Sequence, residues 1–260
     1  MHRLPFVVLV LLVLTASTTI AGPPDVQTIV QRMKAALEPE RSNTRDIVMV
    51  TRTGGESVQW TARQARKKLG DGKRMLTVLL APTDVKGFAL LTWERRDKDA
   101  DAQWLYLPFL RRVREILPVA TFESFLGTDF TTSDLGFINL RHRKFSLLAE
   151  EKLGNEQTYK IQEVLDDPRY YSRIVTWVAA NSMLPLRRDY YDVGNTLWKT
   201  EVYEDVKSID GVPTPLHIRM EDKQTGASTE LQVSNVRYDA EIPDSLFDPQ
   251  RLPEVAKQPF

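Results

Sequence analysis

Cysteine is absent from this chain of 260 residues. Its absence excludes a disulfide scaffold, thiolate ligands for zinc or iron–sulfur clusters, and a cysteine nucleophile. It also excludes the acylated N-terminal cysteine of a bacterial lipoprotein. Histidine is scarce, with three residues, and none belongs to a His-Glu-x-x-His pattern. We therefore expect no metal site and no cofactor.

Charge of one sign is also lacking, because 35 Lys and Arg residues balance 35 Asp and Glu residues. A formal net charge of zero argues against a nucleic-acid partner. The chain has no Walker loop, no Gly-x-Ser-x-Gly motif and no Rossmann glycine fingerprint, so nucleotide use and nucleophilic acyl transfer lack their usual motifs. The sequence predicts that the protein is not an enzyme, and a Ser/His/Asp triad assembled from distant positions is the remaining catalytic alternative.

Apolar runs are limited in length, and the longest lies near the N-terminus. His2 and Arg3 precede the run at 4–14, and the small side chains around Ala21 suit cleavage by signal peptidase. We interpret residues 1–21 as a cleaved secretory signal peptide and expect the mature protein in the periplasm. The alternative is a transmembrane anchor, but the run is shorter than the roughly 20 residues that a spanning helix needs.

One helix is predicted at the start of the mature chain. Pro24 and Asp25 form a helix-start signal, and apolar residues recur at helical spacing over 25–37. No Ser/Gly-rich or charged linker divides the rest, so we expect residues 22–260 to form a single domain.

After the helix the apolar pattern changes to a period of two, which is typical of strands. The predicted strands are 46–52, 57–65, 73–80, 88–94, 145–152, 158–165, 172–180, 186–192, 197–207, 215–222 and 228–238. Short turns between them indicate antiparallel neighbours. About eleven strands exceed what a flat open sheet usually holds, so the sheet should close partly on itself. We therefore predict a mostly β fold with a few helices (α+β).

Residues 105–140, between the two groups of strands, are dense in aromatic and basic side chains. Two short helices are predicted here, one within 120–126 and one that starts at Ser133 and Asp134. We expect these helices to lie across the sheet as a lid.

The same segment carries a family resemblance. Residues 105–114 read Leu-Tyr-Leu-Pro-x-Leu-Arg-Arg-Val-Arg, residues 125–130 read Phe-x-Gly-Thr-Asp-Phe, and Asp134 follows. With Pro-Thr-Asp-Val-Lys-Gly at 82–87 and Leu-Pro-x-Arg at 184–187, these motifs resemble the outer-membrane lipoprotein-sorting protein family, whose fold is that of the periplasmic lipoprotein carrier LolA.

The resemblance implies an incomplete antiparallel β-barrel, a half-pipe of about eleven strands with an N-terminal helix and short lid helices over an apolar cavity. It implies a carrier that binds the acyl chains of a lipid or a lipidated protein and shuttles them towards the outer membrane. The implied partners are an inner-membrane lipid exporter and an outer-membrane acceptor, with only transient membrane contact. The alternative is a periplasmic lipid-sensing or partner-binding regulatory module without transfer activity.

Candidate lipid-binding residues lie on the strands beside the middle segment and on the lid itself. They are Met49, Leu79, Phe88, Leu90, Trp104, Tyr106, Phe122, Phe125 and Phe130. Alternate residues of a strand lie on opposite faces of the sheet, and an error of one residue in register would exchange the two faces. The pattern therefore does not fix which of the two alternating sets of residues faces inward. The alternative is that these residues are ordinary core.

Three arginines follow the Leu-Tyr-Leu-Pro motif. On a strand, Arg112 and Arg114 share one face and Arg111 lies on the other. We expect this group to contact an anionic headgroup or a partner protein. The alternative is internal ion pairing with Glu115, Glu123, Asp129 or Asp134. Asp129, next to the Gly-Thr pair, is expected to fix a turn.

Overall fold

The computed structural model describes residues 22, 24–70, 72–95, 101–166, 168, 170–258 and 260. The predicted signal peptide at 1–21 lies outside these residues. In the described part of the chain, no helix is long and apolar enough to cross a membrane.

The predicted N-terminal helix is confirmed as α1 (Val26–Leu37). Asp25 caps the helix, because its side chain accepts a hydrogen bond of 3.0 Å from the Thr28 backbone N–H. Ile29, Val30 and Met33 form its buried face. They pack against side chains of the last strands of the sheet at one end of the interior, so α1 closes that end.

Thirteen strands follow, and all neighbouring pairs are antiparallel. They are β1 (Asn43–Thr53), β2 (Glu56–Leu69), β3 (Gly72–Ala81), β4 (Ala89–Trp93), β5 (Ala102–Leu107), β6 (Arg112–Ile116), β7 (Arg143–Leu153), β8 (Glu156–Leu165), β9 (Arg173–Ala179), β10 (Pro185–Tyr191), β11 (Leu197–Ile209), β12 (Val212–Asp222) and β13 (Ser228–Tyr238). Each of the eleven predicted strands is present. The two additional strands are β5 and β6, a hairpin inside the segment for which we predicted lid helices.

The strands form one sheet in the order β6-β5-β4-β3-β2-β1-β13-β12-β11-β10-β9-β8-β7. The chain thus forms one meander outwards from β1 and a second meander that returns to β13. The two meanders join where β1 pairs with β13. In the described structure, β6 and β7 are the free edges, so the sheet remains open. The predicted incomplete antiparallel barrel is confirmed.

The sheet is strongly curved, as one cavity shows. Arg66 on β2 and Arg188 on β10 line the same cavity of about 130 Å³, although their strands are five positions apart in the sheet. In a flat sheet these two strands would be about 24 Å apart, because neighbouring strands are about 4.8 Å apart. We call the face that carries Leu90 the interior face and the opposite face the outer face.

The C-terminal segment covers the outer face of β3, β4 and β5. It contains two short 3₁₀ turns and α2 (Leu252–Val255). Leu246, Phe247 and Leu252 are buried against the outer face. The indole of Trp93 donates a hydrogen bond of 2.9 Å to the Phe247 carbonyl. The sequence analysis did not predict this segment.

We expect Phe247 to be a major contributor to the stability of this layer. Its side chain is 1% exposed, so Phe247→Ala should lower the free energy of unfolding by about 3–5 kcal/mol. Phe109 is the matched control because its ring is 73% exposed, and Phe109→Ala should change that free energy by less than about 0.5 kcal/mol. Urea denaturation measures both. An equal loss of unfolding free energy in the two variants would contradict the placement of the C-terminal segment.

Candidate functional site

The largest buried apolar cluster lies on the interior face, and we call it the interior cluster. Its members are Met49, Trp60, Ala62, Leu79, Phe88, Leu90, Phe125, Phe130, Tyr171, Ile174, Tyr190, Met220 and Leu231. Most of them come from alternate positions on the strands, as a half-buried strand requires. Phe125 and Phe130 do not come from strands.

These two phenylalanines belong to the lid segment, residues 117–142, which connects the edge strands β6 and β7 across the open side of the sheet. The lid segment starts with a 3₁₀ helix (Pro118–Phe122) and continues in turns. The short helix predicted within 120–126 is met in part by this 3₁₀ helix, whereas the one predicted from Ser133 is wrong, because residues 132–135 form turns. The lid itself is present, and it inserts Phe125 and Phe130 into the interior cluster.

A tight turn directs both rings inwards. The Phe125 N–H donates to the Phe130 carbonyl at 2.8 Å, and the Thr128 N–H donates to the Phe125 carbonyl at 3.0 Å. Leu126 and Gly127, at the centre of the turn, both have positive φ angles, of 53° and 76°. Two consecutive positive φ angles are typical of a type I′ turn. Such a backbone is incompatible with a helix, which explains why the 3₁₀ helix ends at Phe122 and does not continue to residue 126.

Asp129 fastens the lid segment to the sheet. Its backbone N–H donates to the Thr229 hydroxyl at 3.0 Å, and that hydroxyl donates to the Asp129 carboxylate at 2.7 Å. The Lys199 ammonium donates to the Asp129 carbonyl at 2.6 Å. We call these three residues the lid clasp. The Asp129 carboxylate therefore lies in the turn that we predicted and also accepts a hydrogen bond from Thr229 on β13.

The lid clasp is partly withdrawn from water. Burial raises the pKa of Asp129, and the hydrogen bond from Thr229 opposes the rise. Burial lowers the pKa of Lys199, and nearby carboxylates, Asp134 among them, oppose this. Both charged groups are therefore poorly solvated while the lid is closed, and the hydrogen bonds of the clasp offset part of that desolvation.

A second set of contacts holds the other side of the lid segment. Phe122 stacks on Tyr170 with ring centres 5.6 Å apart. The Tyr171 hydroxyl donates to the Asp134 carboxylate at 3.0 Å, and burial raises the pKa of Tyr171 well above its usual value. Trp198 packs against both tyrosines. An aromatic wall on β11 and the loop before β9 therefore borders the lid.

Six of the predicted lipid-binding residues meet in the interior cluster. They are Met49, Leu79, Phe88, Leu90, Phe125 and Phe130. Phe122 is half-buried at the lid margin. Trp104 and Tyr106 are corrected, because they pack on the outer face under the C-terminal segment. On β5 the inward residues are Leu105 and Leu107, one position away, so the predicted face of this strand was wrong.

Arg111, Arg112 and Arg114 are exposed at the tip and along the edge of the β5–β6 hairpin. Within the described part of the chain, none of them forms an ion pair with an acidic residue, which is contrary to the internal pairing that we weighed as the alternative. Two apolar side chains at the same tip are also exposed: Phe109 by 73% and Leu110 by 42%. The hairpin tip therefore combines apolar and cationic groups in solvent.

The end of the interior nearest to α1 is polar. The Tyr190 hydroxyl donates to the Glu201 carboxylate at 2.5 Å, and burial raises the pKa of Glu201. Arg143 pairs with Glu163 nearby. Sequence reasoning missed these residues, because a charged side chain at an inward position has the same pattern in the sequence as one on a solvated face. In the part of the chain that the structure describes, no three His, Asp or Glu side chains come together as a metal site would require.

A family model with the description "Uncharacterized protein" matches residues 71–254, more than half of the chain. Among solved structures, a domain classed as an outer-membrane lipoprotein-sorting protein, from Vibrio parahaemolyticus, is 28% identical with a TM-score of 0.82. The match covers 88% of this chain and 98% of that one. The chain belongs to the family that this model describes, and it shares the fold of the lipoprotein-sorting domain.

Two further structures share this fold. A DUF1329 family protein from Desulfovibrio piger is 27% identical, with a TM-score of 0.79 over 88% of this chain and all of that chain. A LolA superfamily protein from Nitrosomonas europaea is 20% identical, with a TM-score of 0.70 over 87% of this chain and 98% of that chain. This last match shows that the fold is LolA-like. No curated protein matches the chain.

Loosening the lid clasp should open the lid. Thr229→Val removes the hydroxyl that bonds twice to Asp129. A hydrogen bond to a charged group contributes about 1.5–3 kcal/mol, so amide hydrogen exchange in the lid segment should become roughly 10–100-fold faster.

Thr176→Val is the control, because Thr176 is a buried threonine on β9 with no described hydrogen bond to the lid segment. It should leave exchange in the lid segment unchanged. An unchanged rate in Thr229→Val, or equal acceleration throughout the sheet, would show that the clasp does not hold the lid.

Proposed function

We propose that this protein binds the acyl chain of a lipid or lipidated protein against the interior face and carries it through the periplasm towards the outer membrane. The observation that supports this most is the insertion of Phe125 and Phe130 into the interior cluster. These rings occupy apolar space on a segment that contributes no strand to the described sheet. An acyl chain can replace them when the lid segment moves outwards.

The free energies favour such a replacement. An acyl chain of about sixteen carbons gains on the order of 12 kcal/mol on leaving water, at about 0.8 kcal/mol per methylene. Withdrawing two phenylalanine rings costs about 3–6 kcal/mol. Before the ligand's loss of freedom is counted, the gain from burying the acyl chain therefore exceeds the cost of displacing the lid aromatics. The cost of keeping the lid open favours return of the rings when an acceptor is available.

The inward strand residues Met49, Leu79, Phe88 and Leu90 are the proposed contacts of the acyl chain. Phe125 and Phe130 are the proposed lid residues that it displaces. Phe122, stacked on Tyr170, borders the same opening.

The tip of the β5–β6 hairpin is the proposed contact with a membrane surface or with an exporter or acceptor. Exposed Phe109 and Leu110 supply apolar area, and Arg111, Arg112 and Arg114 supply positive charge. Amphipathic side chains next to cations favour an anionic interface. Contact of this kind would be transient, because only two apolar side chains are involved.

Binding is tested by native mass spectrometry and lipid extraction on protein purified without detergent. We expect one lipid or acylated peptide per chain. Leu90→Asn should weaken binding of a fluorescent fatty acid roughly 10–100-fold, because an amide against an acyl chain costs about 1–3 kcal/mol.

Leu91→Asn is the matched control, since Leu91 is the adjacent buried residue on the outer face. It should lower thermal stability to a similar extent and leave binding intact. Protein that carries no lipid and takes up no fatty acid, or equal loss of binding in both variants, would reject an acyl-binding interior.

Transfer separates the carrier from the alternative, a lipid sensor with the same interior. A carrier should deliver bound lipid to anionic acceptor vesicles, whereas a sensor should retain it. We expect Phe109→Ser to slow transfer at least several-fold and to leave binding unchanged, because it removes the most exposed apolar side chain of the hairpin tip.

Val193→Ser is the control for an exposed apolar residue elsewhere, at 64% exposure. If both variants transfer lipid at the wild-type rate, the hairpin tip is not the contact. If the wild-type protein does not release its lipid, the sensor is favoured.

A further inference from the structure

Three arginines face the interior near the C-terminal end of α1. Arg45 lies on β1, Arg66 on β2 and Arg188 on β10, and all three line one cavity of about 130 Å³ together with Leu37 and Glu38. That volume has room for several water molecules or one compact anion. Arginine is rarely buried without a partner, so three in one cavity require an explanation.

Two of the three guanidinium groups have no carboxylate partner in the described part of the chain. Arg45 forms no hydrogen bond there, and its Nε atom is buried without a partner. Arg66 donates from Nε to the Gln64 side chain at 3.0 Å and forms no ion pair. Arg188 lies 3.5 Å from Glu201, but its own Nε is also buried without a partner.

The sheet register places Arg45 beside Arg66. Asn43 pairs with Arg66 and Arg45 pairs with Gln64, so the two arginines are diagonal neighbours on one face, with Cα atoms about 7–8 Å apart. The pairing of β1 with β13 shifts between Thr44 and Asp46, so Arg45 lies at a β-bulge. Burial lowers the pKa of Arg45, and the charge of Arg66 lowers it further. The fold therefore holds two like charges close together at a free-energy cost.

Glu38, at the C-terminal end of α1, compensates Arg66 only in part. Burial lowers the pKa of Arg66 and the charge of Glu38 opposes this, but Glu38 also pairs with Lys34 at 3.1 Å and with Lys73 at 3.3 Å. Its carboxylate accepts a hydrogen bond from the Ile138 backbone N–H in the lid segment as well. Because Lys34 also pairs with Glu94, these two lysines and two glutamates together carry no net charge and supply no spare counter-charge to the arginines.

Two other carboxylates line the cavity, Asp134 and Glu201. Asp134 accepts hydrogen bonds from the Tyr171 hydroxyl and from the Thr131 backbone N–H. Glu201 accepts a hydrogen bond from the Tyr190 hydroxyl. Of the three arginines, Arg188 is the one with a described ion pair to Glu201. Three arginines against these two carboxylates leave one positive charge in excess, and it falls at Arg45 and Arg66.

The same cavity adjoins the apolar part of the interior. Ile47, Leu231 and Phe130 line it as well, and Leu231 and Phe130 are members of the interior cluster. A molecule whose charged end lay beside Arg45 could therefore extend an apolar chain along the interior face into the space that the lid aromatics occupy.

We propose that Arg45 and Arg66 form a binding site for one anionic headgroup, a phosphate or a carboxylate, of the acyl ligand, with Arg188 at its margin. This inference rests on the proposed acyl-binding function and specifies the ligand as an anionic amphiphile. The planar guanidinium fork suits both anions. The bound anion supplies the counter-charge that Arg45 and Arg66 lack within the protein.

The test compares two ligands with the same chain, dodecyl phosphate and 1-dodecanol, by calorimetry on delipidated mature protein below their micelle concentrations. We expect dodecyl phosphate to bind at least 10-fold more tightly than dodecanol. Inorganic phosphate alone should bind at least 100-fold more weakly than dodecyl phosphate, because it lacks the apolar chain.

Arg45→Met and Arg66→Met should each reduce the preference for dodecyl phosphate at least 10-fold and leave dodecanol binding unchanged. Neither variant should lower the thermal midpoint, because each removes a half-buried cation for which no ion pair is described. Arg63→Met is the matched control on the outer face of β2, where Arg63 pairs with Asp46 at 2.8 Å. It should keep the full preference.

Each outcome has a distinct meaning. Equal binding of dodecyl phosphate and dodecanol, or a preference for dodecyl phosphate that survives both arginine variants, overturns the anion site and leaves the acyl-binding function standing. Inorganic phosphate that binds as tightly as dodecyl phosphate overturns the headgroup assignment, since the site then serves a free anion. If neither dodecyl phosphate nor dodecanol binds, the proposed function itself is rejected.

Discussion

The width of a single open sheet is the constraint on which the rest of the structure depends. Thirteen antiparallel strands curl until residues on β4 and β10 share one buried cluster, yet β6 and β7 do not pair in the described structure. Curling without closure leaves a concave apolar face that must be covered. The chain covers this face with the lid segment, which connects the two free edges. The same segment therefore serves both as the connection between the two meanders and as the lid.

The interior has two chemically different regions, and the division follows the strands. Towards the lid aromatics the inward residues are apolar, whereas towards α1 they include arginines, carboxylates and tyrosine hydroxyls. Such a surface matches a molecule with one apolar and one polar end. The lid segment contacts both regions, through Phe130 in the apolar part and Asp134 in the polar part, so a ligand at either end can affect the same lid.

Much of the fold could be predicted from the sequence, because alternation and turn residues are strong signals where one face of a strand is solvated. The predicted range 228–238 is the observed β13. Alternation fails on β5, where Trp104 and Tyr106 pack under the C-terminal segment while Leu105 and Leu107 face the interior. A strand that is covered on both faces is apolar at every position, so its inward set could not be read from the pattern.

The site was predicted only in its apolar part, for a related reason. A charged residue at an inward position, such as Arg45 or Arg188, cannot be distinguished in one sequence from a charged residue on a solvated face. The lid geometry depends on hydrogen bonds between residues that are far apart in the chain, such as Asp129 with Thr229, and local propensity contains no trace of them.

The pairing of β1 with β13 is likewise long-range, since it joins residues such as Asn43 and Tyr238 from distant parts of the chain. The strand pairs on either side of it are local hairpins, which form quickly, whereas closure between distant segments is slow. A state that had both meanders but lacked this pair would expose two apolar sheet faces, and it would be more vulnerable to aggregation and proteolysis than the native protein.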